Sequence, residues 1–463
     1  MKINKKIDEL KDDLISSTRE LVKIKSIEEE AKDGMPYGQG VAAALKKALE
    51  ISEKLGFKTV DLDGYVGYAE YGEGEDYVAV LGHLDVVPEG NGWIYPPYGA
   101  EIHDGKMFGR GTMDDKAPIV AALYGLKALK DLNLPLSKRV RIIYGTNEET
   151  GCKEMAHYFE KEKPPVSGFT PDAEYPIIYG EKGITIFKAA KKLVNKGNGD
   201  ITVRSINGGQ RANMVPDYCE AVLNAKDLKA AAEAAESFKA RTGYDITAEV
   251  LGDSVKIKSV GVSAHGSLPH LGKNAIMQLF AFLGELSLRE GDLAAYISFF
   301  NKYVGFDTTG VSMGIGLEDK ESGKLSFNVG TIAMNEDKIS MSLNLRYPVT
   351  FKLEDMMKPL NEKFETAGIE VEDMTHQEPL FFPEDHPLIK SLQKVYSEQT
   401  GKEAKLLAIG GGTYAKEMPN IVAFGPIFPG KPDLDHQANE YIEIEDLVLN
   451  AKIYGHAIYE LAK

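Results

Sequence analysis

Acidic and imidazole side chains that could bind metal ions occur in five short segments spread along the chain. The segments are G-H-L-D-V-V-P with His83 and Asp85, M-D-D-K with Asp114 and Asp115, N-E-E-T with Glu148 and Glu149, T-P-D-A-E-Y-P with Asp172, and L-D-H-Q-A-N-E with His436. Carboxylate oxygens and imidazole nitrogens are ligands that zinc and related divalent ions accept. The residue types therefore indicate a metal site if the fold brings these segments together.

Two of the pairs have simple structural explanations when each is taken alone. His83 and Asp85 point to one face of an extended chain, so His83 could bind a metal while Asp85 holds its second ring nitrogen, or the two could form a surface hydrogen bond. Asp114 and Asp115 stand at the start of a predicted helix, where capping and the helix dipole favour acids. That explanation accounts for one aspartate and leaves the other.

The elements that must position these residues are short buried strands. Tyr77–Leu81 (Y-V-A-V-L) runs into the segment of His83, and Val140–Tyr144 (V-R-I-I-Y) ends just before Glu148 and Glu149. Two adjacent buried carboxylates repel each other unless a cation or a proton lies between them. An exposed acidic loop or a helix start is the alternative explanation for this pair.

The strands alternate with helices, which predicts an α/β fold with a central sheet flanked by helices. Helices are predicted over Ile7–Val22 and from Lys116 to about residue 130. After Gly183 the pattern changes to half-buried strands and an apolar helix over 274–286, which indicates an inserted α+β domain. The predicted domains are residues 1–183 and 380–463, which form one catalytic domain, and residues 184–379, which form the insert.

The composition limits the classes of partner and compartment. Fifty-four basic against seventy acidic residues give a net charge of -16, which disfavours nucleic acid and anionic membranes as partners. Only Cys152 and Cys219 occur, in no metal-binding or disulfide spacing, which favours a reducing, cytoplasmic environment. The sequence contains neither a signal peptide nor a long apolar segment, so no membrane association is expected.

Taken in order, the five motifs resemble the co-catalytic dizinc family of carboxypeptidases, aminoacylases and dipeptidases. The likeness is strongest to the bacterial V-type dipeptidases, which are carnosinase-like, and it extends over almost the whole chain. It implies that His83 and Asp172 bind one ion, that Glu149 and His436 bind the other, and that Asp114 bridges both. Zinc is expected, with manganese or cobalt as alternatives, because the ligands suit all three.

The resemblance also assigns the chemistry around these ligands. Glu148 would be the general base for a water activated by the ions, and Asp85 would orient His83. The peptide between Asp114 and Asp115 would be cis. Ala117 departs from the glycine that is usual in the family, which affects the detail of the loop.

Three residues of the insert match the substrate-binding pattern of the dipeptidases. Arg346 would bind the C-terminal carboxylate of the substrate, and His265 with Asn213 would stabilise the oxyanion. Without the resemblance, Arg346 would be interpreted as an exposed arginine at a strand end. The loop with Gly411 and Gly412 could present N–H groups to an anion, or it could be a flexible connector.

These inferences together predict a metallo-dipeptidase that acts on small peptides. The insert would be a lid, of two similar halves as in the V-type dipeptidases, that closes to bring His265 and Arg346 to the metals and that permits a monomer. An N-acyl-amino-acid deacylase and an exopeptidase for longer peptides are alternatives on the same scaffold. A non-catalytic metal-binding protein is the alternative from another class, against which the presence of Glu148 argues.

Overall fold

A computed structural model describes residues 2–197, 199–288 and 290–463 of the chain, which divides into two compact units. The first unit comprises Met1–Tyr179, Phe382–Leu407 and Gly412–Lys463, and the second comprises Gly180–Phe381 and Ala408–Gly411. The predicted boundaries after residues 183 and 379 lie within a few residues of these. The short return of Ala408–Gly411 to the second unit has no counterpart in the sequence prediction.

The first unit is built on a mixed β-sheet. Its strands, in spatial order, are Lys58–Leu62, Val66–Tyr71, Arg139–Gly145, Tyr77–His83, Ser167–Thr170, Ile421–Ala423, Ile177–Glu181 and Leu380–Phe381. Leu406–Ile409 also pairs with Ile177–Glu181, and this end of the sheet runs on into the second unit. Four neighbouring strands in the middle pair in parallel, whereas the flanking pairs are antiparallel. The predicted α/β class with a mixed sheet is therefore confirmed.

Helices cover this sheet. They are Lys2–Glu9, Lys11–Val22, Gln39–Lys54, Lys116–Asp131, Glu154–Lys161, Pro387–Thr400 and Ile444–Ala462. The helix Lys116–Asp131 is buried over most of its length and packs on Ile444–Ala462, where Gly125 and Gly455 let the two backbones approach closely. A three-stranded sheet of Glu101–His103, Lys106–Phe108 and Tyr441–Glu443 and a two-stranded one of Ala173–Glu174 and Pro426–Ile427 complete the unit.

The second unit is an antiparallel sheet with helices packed on it. In spatial order the strands are Asp245–Leu251, Ser254–Val260, Tyr218–Ala225, Ile201–Gly208, Ser326–Met334, Lys338–Tyr347, Gly183–Lys192 and Glu370–Gln377. The helices are Leu228–Thr242, Ala275–Leu283, Asp292–Tyr303 and Leu353–Ala367. Their apolar faces and the inward side chains of the strands form one core, which includes Phe280, Phe300, Met341 and Leu343.

Most predicted elements agree with the structure to within a few residues, and one does not. The predicted helix Ile7–Val22 consists of two helices, because Leu10 leaves the helical conformation with a ψ of 2°. Leu10 is not a helix breaker, so the sequence carries no signal for this interruption. Among the described residues, no helix is long and apolar enough to cross a membrane.

Candidate active site

Three parallel strands bring three of the acidic and imidazole segments to one edge of the sheet in the first unit. Tyr77–His83 pairs with Arg139–Gly145 so that His83 lies opposite Gly145, and it pairs with Ser167–Thr170 on its other side. The carboxyl ends of parallel strands meet at the same edge, which is where ligands bind in sheets of this kind. His83, the Glu148–Thr150 turn and Asp172 therefore follow neighbouring strand ends.

Asp114 lies between two imidazoles. Its Oδ1 is 2.7 Å from Nε2 of His83, and its Oδ2 is 3.2 Å from Nε2 of His436. Nε2 of His83 is also 3.7 Å from Asp172 Oδ2, and Nε2 of His436 is 3.0 Å from Glu149 Oε2. The five side chains thus form two groups that share the carboxylate of Asp114.

Two polar atoms of this cluster are buried without a hydrogen-bond partner. Nε2 of His83 and Oε1 of Glu149 are buried and have no hydrogen-bond partner among the described residues. Possible ligand atoms of His83, Asp114 and Glu149 lie within 4.8 Å of one another, and so do those of His83, Glu148 and Asp172. Donor atoms that converge in this way, all nitrogen or carboxylate oxygen, fit divalent cations between them.

The electrostatics of the cluster indicate an excess of acid. Burial raises the pKa of Glu148 well above its usual range and raises that of Asp172 to about 7, with the charge of Asp114 adding to the effect at Asp172. The pKa of Asp114 is held well below its usual range, because the neighbouring imidazoles outweigh the opposing effect of burial. Hydrogen bonding to Asp114 raises the pKa of His436 to about 11. Cations would stabilise the ionised acids that the two imidazoles leave uncompensated.

Asp85 supports the cluster differently from the sequence expectation. Nδ1 of His83 lies 2.9 Å from the main-chain oxygen of Asp85 and 3.5 Å from its carboxylate. The carboxylate accepts hydrogen bonds from the backbone N–H groups of Glu148, at 3.2 Å, and Glu149, at 3.1 Å. Asp85 therefore orients His83 through its carbonyl and fixes the Glu148–Glu149 turn through its side chain.

Asp115 is part of the cluster's support rather than a helix cap. It occupies the N-cap position of Lys116–Asp131, but its side chain makes no capping hydrogen bond. Oδ2 of Asp115 instead accepts a hydrogen bond from the backbone N–H of His83 at 3.2 Å. Gly82 permits this approach, since a Cβ there would overlap the carboxylate. The peptide between Asp114 and Asp115 is cis, as the resemblance implied.

Glu440, which the sequence analysis did not single out, joins the loop of Asp114 to the loop of His436. Its Oε1 accepts from the backbone N–H groups of Gly111, at 3.0 Å, and Met113, at 2.8 Å. Its Oε2 accepts from Arg110 at 2.7 Å, and both charged side chains are buried. The only signal in the sequence was its place as the last residue of D-H-Q-A-N-E.

Tyr414 and Glu154 form a second support that the sequence analysis missed. The Tyr414 hydroxyl donates to the Glu154 carboxylate, and the Tyr414 ring packs edge-on against His83 with 6.2 Å between the ring centroids. Both side chains are fully buried, and burial raises the pKa of Glu154 to about 7. The pair is thus a polar support beneath the ring of His83.

The second unit holds Arg346, which is 4% exposed. Its Nε donates to Asn344 Oδ1 at 3.2 Å, and its guanidinium donates to the carbonyl of Gly410. Burial lowers the pKa of Arg346 to about 10, and no carboxylate of the described residues forms an ion pair with it. The interpretation as an exposed arginine at a strand end therefore does not apply.

The remaining predicted residues lie in two loop regions. In the second unit, Met214 and His265 form a β-bridge, and Gly266 N–H donates to the carbonyl of Asn213 at 2.7 Å, so the predicted oxyanion residues are on adjacent segments. His265 is exposed, and its Nδ1 lies 2.6 Å from Ser267 Oγ. Gly411 belongs to the second unit and Gly412 to the first.

Comparison with known proteins extends over nearly all of the chain. The family model described as Peptidase family M20/M25/M40 matches residues 79–460. "Putative dipeptidase YtjP" of Bacillus subtilis is 42% identical over 461 residues, which are 98% of this chain and 98% of that protein. Among solved structures, human carnosine dipeptidase 1 is 17% identical with a TM-score of 0.58 and covers 99% of this chain and 98% of its own. Aminoacylhistidine dipeptidase from Vibrio alginolyticus is 14% identical with a TM-score of 0.59, covering 97% and 96%. The structural likenesses show a common fold.

Proposed function

The chain belongs to peptidase family M20/M25/M40 and is a peptide-bond hydrolase, and we propose that it is a cytoplasmic dipeptidase that uses two divalent metal ions. The observation that carries the proposal is the position of Asp114, whose two carboxylate oxygens face two different imidazoles. A carboxylate shared in this way suits a bridge between two ions. The dipeptide substrate is supported by the relative from Bacillus subtilis, whose name is that of a dipeptidase.

Each ion would have two ligands of its own besides the bridging Asp114. His83 and Asp172 would hold one, and Glu149 and His436 the other. Zinc is the expected metal, with manganese or cobalt as alternatives, since nitrogen and carboxylate ligands suit all of them. Bound there, the ions would lower the pKa of a water toward about 7 and polarise the scissile carbonyl.

Glu148 would act as the general base. Its backbone N–H is fixed by the Asp85 carboxylate at 3.2 Å, and its own side chain is half-buried beside His83 and Asp172. A carboxylate with a raised pKa is a stronger base, so it can accept a proton from the attacking water and pass it to the leaving amine. A carboxylate oxygen of Glu148 lies close enough to the possible ligand atoms of His83 and Asp172 to share an ion with them. An experiment must therefore distinguish a general base from a metal ligand at this position.

The second unit would supply substrate recognition. Arg346 is a buried cation without an acidic partner among the described residues, which suits the C-terminal carboxylate of a peptide. His265 and Asn213 would stabilise the oxyanion, and the N–H groups of Gly411 and of Gly412, the latter from the first unit, would assist with the substrate carboxylate. Closure of the second unit as a lid is part of this proposal, and so is a monomeric protein.

The test is a substrate panel measured together with metal content. Purified protein is assayed on dipeptides, tripeptides and N-acetyl amino acids, while its metals are quantified by plasma mass spectrometry. We expect two ions per chain, the highest kcat/KM for dipeptides, and loss of activity on chelation that zinc, manganese or cobalt restores. A higher kcat/KM for N-acetyl amino acids would make the protein a deacylase instead, and light scattering of the same sample measures its mass in solution.

A further inference from the structure

Four buried polar side chains lie together on one face of the sheet in the second unit. Ser326 and Asn328 belong to one strand and Asn344 and Arg346 to the next, and the register pairs Ser326 with Arg346 and Asn328 with Asn344. Residues that are directly opposite, or two apart on one strand, project from the same face. We call these four residues the polar quartet. Their exposures are 6%, 1%, 0% and 4%.

Hydrogen bonds fix the orientation of both amides in the polar quartet. Asn328 Nδ2 donates at 2.9 Å to the carbonyl oxygens of the two residues that flank Asn213, so Oδ1 of Asn328 is on the other side of the amide. Asn344 Oδ1 accepts from Nε of Arg346, so Nδ2 of Asn344 is likewise committed to its position. Neither amide can be flipped without losing these bonds.

The remaining polar atoms of the quartet have no hydrogen-bond partner in the part of the chain that the structure describes. They are Asn328 Oδ1, Asn344 Nδ2 and Ser326 Oγ. A buried polar group without a partner costs free energy, and nearly all such groups in folded proteins are satisfied by protein, water or ligand. Several of them beside a buried guanidinium therefore indicate a binding surface rather than a packing surface.

The chemistry of these atoms defines what would bind. Asn344 Nδ2, Ser326 Oγ and the guanidinium are donors, and a carboxylate can accept from all three. Asn328 Oδ1 is an acceptor that requires an N–H group. The two pairs of the quartet are about 7 Å apart along the strands, as two residues of an extended chain are. One amino-acid residue with a free carboxylate and an N–H group meets both requirements.

We propose that Ser326, Asn328 and Asn344 are specificity-determining residues that, together with Arg346, bind the C-terminal residue of the substrate. The inference rests on the proposed function and deepens it, since it names the groups that bind the free carboxylate and the N–H group of the C-terminal residue. Asn328 is also a positioning residue, because it holds the backbone on both sides of Asn213.

The experiment compares a dipeptide with the same dipeptide whose C-terminus is a carboxamide. Asn344→Asp keeps the acceptor for Arg346 but replaces the donor Nδ2 with an anionic oxygen that repels a carboxylate. Ser326→Ala removes one donor without adding a charge. Ser342→Ala is the matched control, because Ser342 is on the same face of the same strand, two residues before Asn344, and is only half-buried.

We expect Asn344→Asp to lower kcat/KM for the free-acid dipeptide by about 10-fold or more, mainly through KM, because a hydrogen bond to a charged group is lost. The loss on the carboxamide is smaller, so the preference for the free acid falls. Ser326→Ala shifts the preference in the same direction by a smaller factor, and Ser342→Ala leaves it unchanged. Melting temperatures of all variants show whether each remains folded.

The outcomes separate this inference from the proposed function. Equal losses on acid and carboxamide, or no loss in folded variants of an active enzyme, overturn the inference alone. If the wild type prefers N-acetyl amino acids, the dipeptide proposal fails, and the same comparison is made with an N-acetyl amino acid and its amide. If the wild type cleaves no substrate of the panel, calorimetric binding of the dipeptide and its carboxamide to wild type and variants decides.

Discussion

The two units of the molecule carry ionisable groups of opposite sign that are buried or half-buried and that the described residues do not fully neutralise. In the first unit, the carboxyl groups of Asp114, Glu148, Glu149 and Asp172 surround two imidazoles, and burial raises the pKa of three of them. In the second unit, Arg346 is buried, and burial alone lowers its pKa. The first region therefore suits cations and the second suits an anion, as the proposed function expects.

The first unit also contains buried charges that the chain does pair. Arg110 lies 2.7 Å from Glu440, and Arg141 lies 2.8 Å from Glu70, with all four side chains less than a tenth exposed. Breaking such a pair leaves one buried charge uncompensated, which is strongly unfavourable. These two pairs show that the fold can compensate a buried charge with an opposite charge of its own, which the described residues do not do at Arg346.

The strongest test of the proposed metal site removes the carboxylate of Asp114. We expect Asp114→Ala to lower kcat/KM by at least about 10³-fold, because both ions lose a ligand and metal-assisted catalysis contributes several kcal/mol. Plasma mass spectrometry on the same preparation should show fewer than two ions per chain. Asp76→Ala, at an exposed aspartate of the same unit, is the control. An Asp114→Ala enzyme that keeps two ions and full activity would show that the acids of the first unit do not bind ions through Asp114.

Glu148 is tested next, because it lies among the acids of the first unit without being assigned to an ion. We expect Glu148→Gln to lower kcat by about 10² to 10⁴-fold, the usual contribution of a general base, with KM and metal content nearly unchanged. Steady-state kinetics and metal analysis on one sample separate the two roles. A fall in metal content that parallels the fall in kcat would make Glu148 a ligand and remove it as the base.

The buried cation of the second unit is tested at Arg346. We expect Arg346→Met to raise KM by about 10 to 100-fold, since the lost bond is charge-assisted, while stability stays the same or rises because an uncompensated buried cation is removed. Arg110→Met is the matched variant, and it should destabilise the fold by about 3 to 5 kcal/mol because it strands Glu440. Urea unfolding of both variants measures the difference, and an equal loss of stability in both would contradict the distinction.

The sequence was sufficient for the fold class and for the approximate place of most elements, because those depend on local patterns. The apolar run that predicts Tyr77–Leu81 is the first part of the strand Tyr77–His83, and the predicted helix from Lys116 ends one residue later than expected, at Asp131. The same pattern could not show that Leu10 interrupts a helix. Nothing in the neighbouring sequence signals this interruption.

The candidate site was accessible from the sequence only where residue type and motif coincide. Glu440 and Arg110 are a buried pair, yet they are 330 positions apart, and neither residue type reveals which partner it will meet. Asp85 was chosen for its carboxylate, but its carbonyl oxygen contacts His83, because the orientation of the imidazole depends on backbone geometry. Arg346 alternates with apolar residues, which predicts its face but not its burial.

A small effect on thermal stability is expected for Glu154, a buried acid that lies outside the proposed metal site. Burial raises the pKa of Glu154 from 4.5 to about 7, so the folded protein keeps a proton that the unfolded chain releases near pH 4.5. Stability from this group is therefore present below pH 4.5 and is lost as the pH rises to about 7, by at most about 3 kcal/mol. Glu154→Gln should raise the melting temperature at pH 8 relative to wild type and change it little at pH 5, with saturating zinc in both samples. The same shift at both pH values would show that the protonation of Glu154 does not change between pH 5 and pH 8, which would contradict a pKa of about 7.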